Sequence, residues 1–165
     1  MEEYGTLAAA EVVFERRFDA PRERIWRALT DPQELGGWLA EAEIELREGG
    51  AIVLKFDDVL ERGTITELRE PEVIAYTWNE DKSDSLVRFE LEPDDGGTRL
   101  TLRHTFEGPA DLPAYGGGWH HHLELLTAQV SGAPIGWDTK RYRELKSEYE
   151  RKAQQLREAE LAKKR

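Results

Sequence analysis

The fold of this chain is most strongly constrained by the segment Gly118-Trp119-His120-His121-His122-Leu123-Glu124-Leu125-Leu126. Apolar side chains recur in it at helical spacing, and the same seam continues to Val130. We therefore predict a helix here, with a loose start at the three glycines 116–118 and an end near Ser131-Gly132. Because it follows a long run of predicted strands, we expect this helix to lie across a sheet. The space between helix and sheet is then either packed core or a ligand pocket.

The rest of the chain reads as one α+β domain built around that helix. A strand at residues 12–18 precedes two short helices, which start at Pro21 and Pro32. The strands that follow are joined by short turns, which favours an antiparallel sheet. The predicted architecture is a helix-grip fold: a curved antiparallel sheet of about six to seven strands wrapped around the long C-terminal helix, with two short helices after the first strand and an extra C-terminal helix.

The predicted boundaries are an N-terminal tail at residues 1–9, the domain at 10–150 and a charged helical extension at 151–165. Tyr142, Leu145 and Tyr149 give the last helix an apolar stripe for about two turns, and beyond Lys152 few large apolar residues follow. We expect the end of this helix to project or fray. Trp137 is expected to dock the preceding linker onto the domain.

Composition narrows the function classes. The 165 residues contain no cysteine, which excludes disulfides and thiol chemistry. The net charge is −11 and is unevenly placed, with −16 on residues 1–139 and +5 on residues 140–165. An acidic body repels phosphate groups, so we expect neither nucleic acid nor a membrane surface as a partner. The N-terminus lacks a signal-peptide pattern and no run reaches membrane-spanning length, so a cytoplasmic location is predicted.

Three consecutive histidines suggest a metal site, but helical geometry argues against one. Successive helical side chains point about 100° apart, so the three rings cannot converge on one ion. Only His120 and Glu124 have the spacing of a helical metal-binding pair, and two ligands make a poor site. We predict no metal and no cofactor, with His120 and His121 near the surface.

Several segments, taken in order, are similar to a known superfamily. They are Phe14-Glu15-Arg16-Arg17-Phe18-Asp19-Ala20-Pro21, Ile25-Trp26-Arg27-Ala28-Leu29-Thr30-Asp31-Pro32, Trp38-Leu39, Ala75-Tyr76-Thr77-Trp78 and Gly118-Trp119. Together they resemble the SRPBCC superfamily (the START-like, Bet v-like ligand-binding fold), and within it the activator of heat-shock protein 90 ATPase-like domain. The resemblance covers roughly residues 10–150.

The resemblance implies a deep, mostly apolar cavity between the sheet and the long helix. Members of the superfamily bind hydrophobic small molecules, a few are cyclases or hydrolases, and some members of this branch are cochaperones. Our leading hypothesis is a domain that binds a hydrophobic or aromatic small molecule and is not an enzyme. One alternative is a protein-interaction module with a cochaperone-like or regulatory role. Another is a small enzyme that uses His104 or His122 as acid or base. The sequence does not indicate an oligomeric state.

Polar side chains within the predicted cavity would orient the ligand. His104 and His122 share faces with apolar neighbours and could contact a polar ligand atom, or each could be a core histidine satisfied by one hydrogen bond. Arg16 could hold a carboxylate at the cavity mouth or pair with a surface glutamate. The hydroxyl of Tyr76 needs a partner if it is buried. The predicted lining comprises Arg16, Trp38, Phe56, Ile65, Tyr76, Trp78, Phe89, His104, Trp119, His122 and Leu126.

Overall fold

The computed structural model describes residues 4–8, 10–57, 59–78 and 85–164. The strands are β1 (Thr6–Ala8), β2 (Glu11–Phe18), β3 (Glu41–Ile44), β4 (Ala51–Phe56), β5 (Val59–Arg69), β6 (Val73–Trp78), β7 (Ser85–Asp94) and β8 (Gly97–Phe106). The helices are α1 (Arg22–Thr30), α2 (Pro32–Trp38), α3 (Leu112–Val130) and α4 (Thr139–Lys163). The predicted α+β class is confirmed.

The strands form one antiparallel sheet in the order β1-β2-β8-β7-β6-β5-β4-β3. Neighbours in this order are mostly consecutive in sequence, as expected for strands joined by short turns. The exception is β2, which pairs with β8 and so brings the first long strand beside the last. The long helix α3 packs near β2 on one side and against α4 on the other. The predicted helix-grip architecture is therefore confirmed, with eight strands in the described residues.

The strand β1 lies within the segment predicted to be a tail. Its three residues pair with β2, with Thr6 opposite Val13 and Leu7 opposite Val12. Leu7 is buried in the core. A strand of three residues is too short to show the alternation on which a sequence-based assignment depends.

The two short helices place the first part of the site. Asp31 ends α1 and caps α2, where its side chain accepts a hydrogen bond from the backbone N–H of Gln33, at 2.9 Å. The indole N–H of Trp38 then donates to the carbonyl oxygen of Ala28, at 2.8 Å. This bond fastens the end of α2 to α1, so Trp38 and the following Leu39 are held in fixed positions beneath α3.

The helix α3 begins earlier than the sequence predicted. Its cap is Asp111, whose carboxylate accepts from the N–H of Ala114 at 3.2 Å, and Pro113 lies in its first turn. The glycines 116–118 are therefore inside the helix and do not form a loose start. A Cβ on Gly117 would lie 2.9 Å from the backbone nitrogen of Lys146, so this glycine permits close approach of α4. The end at Val130 agrees with the prediction.

The helix α4 begins where the sequence predicted, after Asp138, whose carboxylate accepts from the N–H groups of Lys140 and Arg141. Its stripe is buried at Leu145 and Tyr149. The last turns remain helical to Lys163 but are largely exposed. The charged extension is thus a continuous and largely exposed helix.

Candidate functional site

Aromatic side chains fill much of the space between the sheet and α3. Trp38 and Phe89 contact edge to face at 6.3 Å, and Trp78 lies 5.3 Å from Trp119 between ring centroids. Tyr76 and Phe89 are each only 1% exposed. Of the predicted lining residues, Ile65, Tyr76, Phe89 and Leu126 are therefore buried in the core, and none of them borders the pocket or the cleft described next. At these residues the space between the sheet and α3 is packed core.

A small inner pocket remains beside the first half of α3. Its volume is about 110 Å³. This is less than the roughly 150 Å³ of a protein cavity that holds benzene, so the pocket accepts a group no larger than a small ring. Its walls are almost entirely apolar, and they are formed by Leu39, Phe56, Trp78, Ala114, Tyr115, Gly118, Trp119 and His122.

A larger outer cleft adjoins the inner pocket. It has a volume of about 470 Å³, within the range of roughly 300 to 1,000 Å³ that is usual for small-molecule sites. Leu39, Phe56 and His122 line both spaces, so these three side chains stand at their junction. The cleft is bounded by the end of α2, the end of β4, α3 and the linker before α4. Its other walls are Gly36, Gly37, Trp38, Ala40, Lys55, Asp57, Leu125, Gly136 and Trp137.

Trp137 forms the outer wall of the cleft. Its ring lies 4.6 Å from the ring of His122 and 4.5 Å from that of His121, so it docks the linker on α3 as predicted. It remains 43% exposed even so. An exposed tryptophan beside a cleft offers a flat apolar face to a bound molecule.

His122 is the polar group at the junction of pocket and cleft. Its Nδ1 lies 2.9 Å from the carbonyl oxygen of Trp38. Burial lowers the pKa of His122 to about 4, an effect that the bond to Trp38 only partly opposes. The imidazole is therefore neutral near pH 7. Since a carbonyl oxygen only accepts, Nδ1 carries the proton of the neutral ring.

His104 lies deeper, in a chain of hydrogen bonds that leaves it no free nitrogen. The indole N–H of Trp119 donates to its Nδ1 at 3.0 Å, so its Nε2–H points to the hydroxyl of Ser85, also at 3.0 Å. That hydroxyl in turn lies 3.0 Å from the carbonyl oxygen of Trp78, to which it donates. Burial lowers the pKa of His104 to about 3. This residue holds the pocket wall in place, and both its nitrogens are engaged within the protein.

His120 and His121 are buried, which corrects the prediction that they lie near the surface. His120 lies 2.9 Å from the hydroxyl of Tyr149 through its Nδ1. His121 accepts from the backbone N–H of Asp138 at 2.9 Å and donates to Glu124. Both side chains face α4. The polar side of α3 thus contacts another helix, where the sequence alone had suggested solvent.

The electrostatics on the α4 side are those of a half-buried ion pair. Arg141 binds Glu124 with its Nε and Nη2, the shortest distance being 2.7 Å. Burial alone would raise the pKa of Glu124, but the hydrogen bonds from Arg141 and His121 outweigh it and the pKa is lowered. In the described residues, no group of three or more histidine or carboxylate side chains is arranged to hold a metal ion.

Arg16 lies away from the pocket and the cleft. Its guanidinium donates to the carbonyl oxygen of Glu15 at 2.8 Å and stands 5.4 Å from the centroid of the Phe14 ring. It lines a separate groove on the β2 side of the sheet, together with Arg17 and Arg99. Of the residues predicted to line a cavity, the structure brings together Trp38, Phe56, Trp78, Trp119 and His122.

Sequence reasoning missed part of the site. Leu39 and Tyr115 were not assigned to the lining, and Trp137 was assigned only a docking role. The motif Trp38-Leu39 contained a signal for Leu39, because adjacent residues at a helix end can border one cavity. Tyr115 lies in the first turns of α3, just before the glycines at which the sequence had predicted the helix to start.

The comparisons with known proteins agree with this fold. A family model described as "Activator of Hsp90 ATPase homolog 1-like protein" matches residues 19–131. The chain belongs to this family. No curated protein gives a significant match. The matched region of the Hsp90-activator-like family ends before Trp137 and α4, so the outer wall of the cleft lies beyond it.

Solved structures share the architecture over most of the chain. The crystal structure of CalU16 from Micromonospora echinospora is 30% identical, with a TM-score of 0.71, and the match covers 82% of this chain and 83% of that one. A conserved protein of unknown function from Enterococcus faecalis is 25% identical, with a TM-score of 0.75 and coverage of 94% and 92%. A Bordetella parapertussis protein is 26% identical, with a TM-score of 0.75 and coverage of 91% and 90%. No described helix is both long and apolar enough to cross a membrane.

Proposed function

We propose that this domain binds a partly aromatic small molecule in the outer cleft and that the ligand inserts one small apolar group into the inner pocket. The observation that carries the proposal is the junction at Leu39, Phe56 and His122, three side chains that line both spaces and so bring them side by side. The inner pocket alone is too small for a whole ligand, and the cleft alone would offer an open surface. Together they suit an elongated molecule.

Apolar contact would supply most of the affinity. The faces of Phe56 and Trp137 border the cleft, and Trp78 and Trp119 border the pocket. A ligand that buries about 200 Å² of apolar surface there would gain about 5 kcal/mol, before the cost of association is subtracted. Lys55 and Asp57 line the cleft with opposite charges, so it carries no strong preference for one sign of ligand charge.

Binding of this kind, rather than catalysis, agrees with the state of the two histidines. His104 has both nitrogens engaged within the protein. His122 has a pKa of about 4, far from the neutral range in which a general acid or base is most effective. The proposed role of the site is therefore to hold a molecule.

The test is uptake of the neutral fluorescent probe N-phenyl-1-naphthylamine by wild type and by a cleft-filling variant. Gly36 lines the cleft, and a Cβ built there meets no atom within 4 Å, so Gly36→Trp fills the cleft without a clash at the backbone. We expect this variant to bind the probe about tenfold or more weakly, a loss of about 1.4 kcal/mol.

Gly108→Trp is the matched control. Gly108 is also exposed, and a Cβ placed on it would again find no atom within 4 Å, but it borders neither the pocket nor the cleft. This variant should bind the probe as wild type does. Equal loss in both variants, or no loss in Gly36→Trp, would show that the probe binds elsewhere and would overturn the proposal.

A further inference from the structure

The ring of His122 is held so that one nitrogen is committed and the other is not. Nδ1 lies 2.9 Å from the carbonyl oxygen of Trp38. Within the part of the chain that the structure describes, Nε2 makes no hydrogen bond. The ring is flanked by Trp137 at 4.6 Å and by Phe56 at 5.9 Å, so neighbouring aromatic rings fix its orientation.

The protonation state of this ring determines what Nε2 can do. Because Nδ1–H donates to a carbonyl oxygen, the neutral ring has its lone pair on Nε2, which is then only an acceptor. Burial keeps the pKa of His122 at about 4, so this tautomer is present throughout the neutral range. A charged imidazolium would instead donate from Nε2 and attract anions.

The position of His122 places that acceptor among apolar walls. His122 borders both the inner pocket and the outer cleft, and its neighbours at the junction, Leu39 and Phe56, offer no polar side-chain atom. An acceptor in such surroundings favours a ligand that donates to it, because a bound ligand without a donor would cover the nitrogen and leave it without a partner.

We infer that the site selects ligands that present a neutral hydrogen-bond donor, such as a phenolic hydroxyl or an amide N–H, at the junction of pocket and cleft, where it bonds to Nε2 of His122. This inference rests on the proposed function, since it assigns a chemical preference to the same site. A carboxylate at that point would bring its oxygen atoms against the nitrogen lone pair and would be rejected.

The experiment compares two probes of nearly the same shape, 2-naphthol and 2-methylnaphthalene, by displacement of N-phenyl-1-naphthylamine. The methyl compound is the more hydrophobic, so a purely apolar site would bind it more tightly. We expect wild type to prefer 2-naphthol by about tenfold, since one hydrogen bond to the acceptor nitrogen is worth roughly this factor. In His122→Phe the preference should reverse in favour of the methyl compound.

Phe56→Leu is the control for damage to the site. Phe56 borders both spaces but supplies no polar atom, so this variant should weaken both probes by similar factors and keep the ratio. Because the readout is a ratio measured within each protein, a general loss of affinity does not mimic the effect.

Each outcome decides one question. A preference for 2-naphthol that disappears in His122→Phe and persists in Phe56→Leu supports the inference. Binding of both probes to wild type without that preference, or a preference that survives in His122→Phe, overturns the inference and leaves the proposed function standing. Failure of both probes to displace the reporter overturns the inference and the proposed function together.

Discussion

The two sides of α3 carry histidines next to each other in sequence but are built in opposite ways. Towards α4, Gly116 and Gly117 leave no room for a side chain, His120 contacts the hydroxyl of Tyr149, and both nitrogens of His121 have partners. Towards the cleft, His122 borders open space and keeps one nitrogen without a protein partner in the described residues. The helix α3 thus packs tightly against α4 on one side and forms a wall of the candidate site on the other.

Polar groups on the two sides of α3 therefore have different roles. On the α4 side, buried donors and acceptors are matched to one another, as stability requires. The Tyr149 hydroxyl, for example, accepts from the N–H of Gly5 at 2.7 Å and so ties the start of the chain to the last helix. A polar atom that has no hydrogen-bond partner in the protein and lies beside a concave space is available to bind a ligand. Only His122, of the three consecutive histidines, meets that description within the described residues.

The largest effect on stability is expected from adding a side chain where α3 packs against α4. A Cβ on Gly117 meets the backbone of Lys146 at 2.9 Å, whereas a Cβ on the neighbouring Gly118 finds its nearest atom, Tyr142 Cε1, at 4.0 Å. Gly117→Ala should overpack the helix contact, while Gly118→Ala should gain helix propensity. We expect the two variants to differ by about 3 kcal/mol in free energy of unfolding, measured by urea denaturation. Equal stability would show that α4 shifts without cost.

A smaller loss is expected from Tyr149→Phe. This change removes the hydroxyl that accepts from Gly5 and contacts His120, and it leaves buried polar groups unmatched. We predict a loss of about 2 kcal/mol in free energy of unfolding. Tyr142→Phe is the control in the same helix, because the hydroxyl of Tyr142 makes no hydrogen bond in the described part of the chain. If both variants lost the same stability, the hydrogen bonds of the Tyr149 hydroxyl would not be what stabilises the packing on the α4 side.

Acid should lower the free energy of unfolding through His104 and His122. Their pKa values of about 3 and about 4 in the fold lie below the ordinary value of 6.5. The unfolded chain therefore binds more protons below pH 6.5, and stability falls as pH drops from 6.5 towards 4. Each histidine should remove about 1.4 kcal/mol at pH 5.5 relative to pH 8. His122→Gln should reduce the total loss by that amount, and an unchanged pH dependence would contradict the neutral state assigned to His122.

The fold could be predicted from sequence because its signals are local. Strand alternation, the proline and aspartate signals at α1 and α2, and the seam of Trp119, Leu123 and Leu126 each survive in the structure. The short strand β1 could not be predicted, because three residues are too few to show the alternation of apolar and polar side chains. The start of α3 was misplaced because glycines usually weaken helices, whereas here Gly116 and Gly117 permit close packing on α4.

The site was harder to predict because it depends on which surfaces meet. The sequence shows that α4 has an apolar stripe, but it does not show that the stripe covers the polar side of α3, so His120 and His121 looked exposed. It shows that His104 and His122 share faces with apolar residues, but not that Trp119 and Ser85 occupy both nitrogens of His104. Partners that distant in sequence are set by tertiary packing alone.

The smallest effect expected is a gain in stability at the open side. Gly36 lies inside α2 beside the cleft, and a Cβ there meets no atom within 4 Å, so Gly36→Ala should stabilise the protein by about 0.7 kcal/mol through helix propensity. The same change at the adjacent Gly37 meets the side chain of Gln129, which bonds to Glu34. Gly37→Ala should therefore gain nothing or lose stability. Urea midpoints of the two variants measure the difference. A gain in both would mean that the Gln129 side chain moves aside at no cost, and that the cleft wall at α2 is less rigid than its hydrogen bonds indicate.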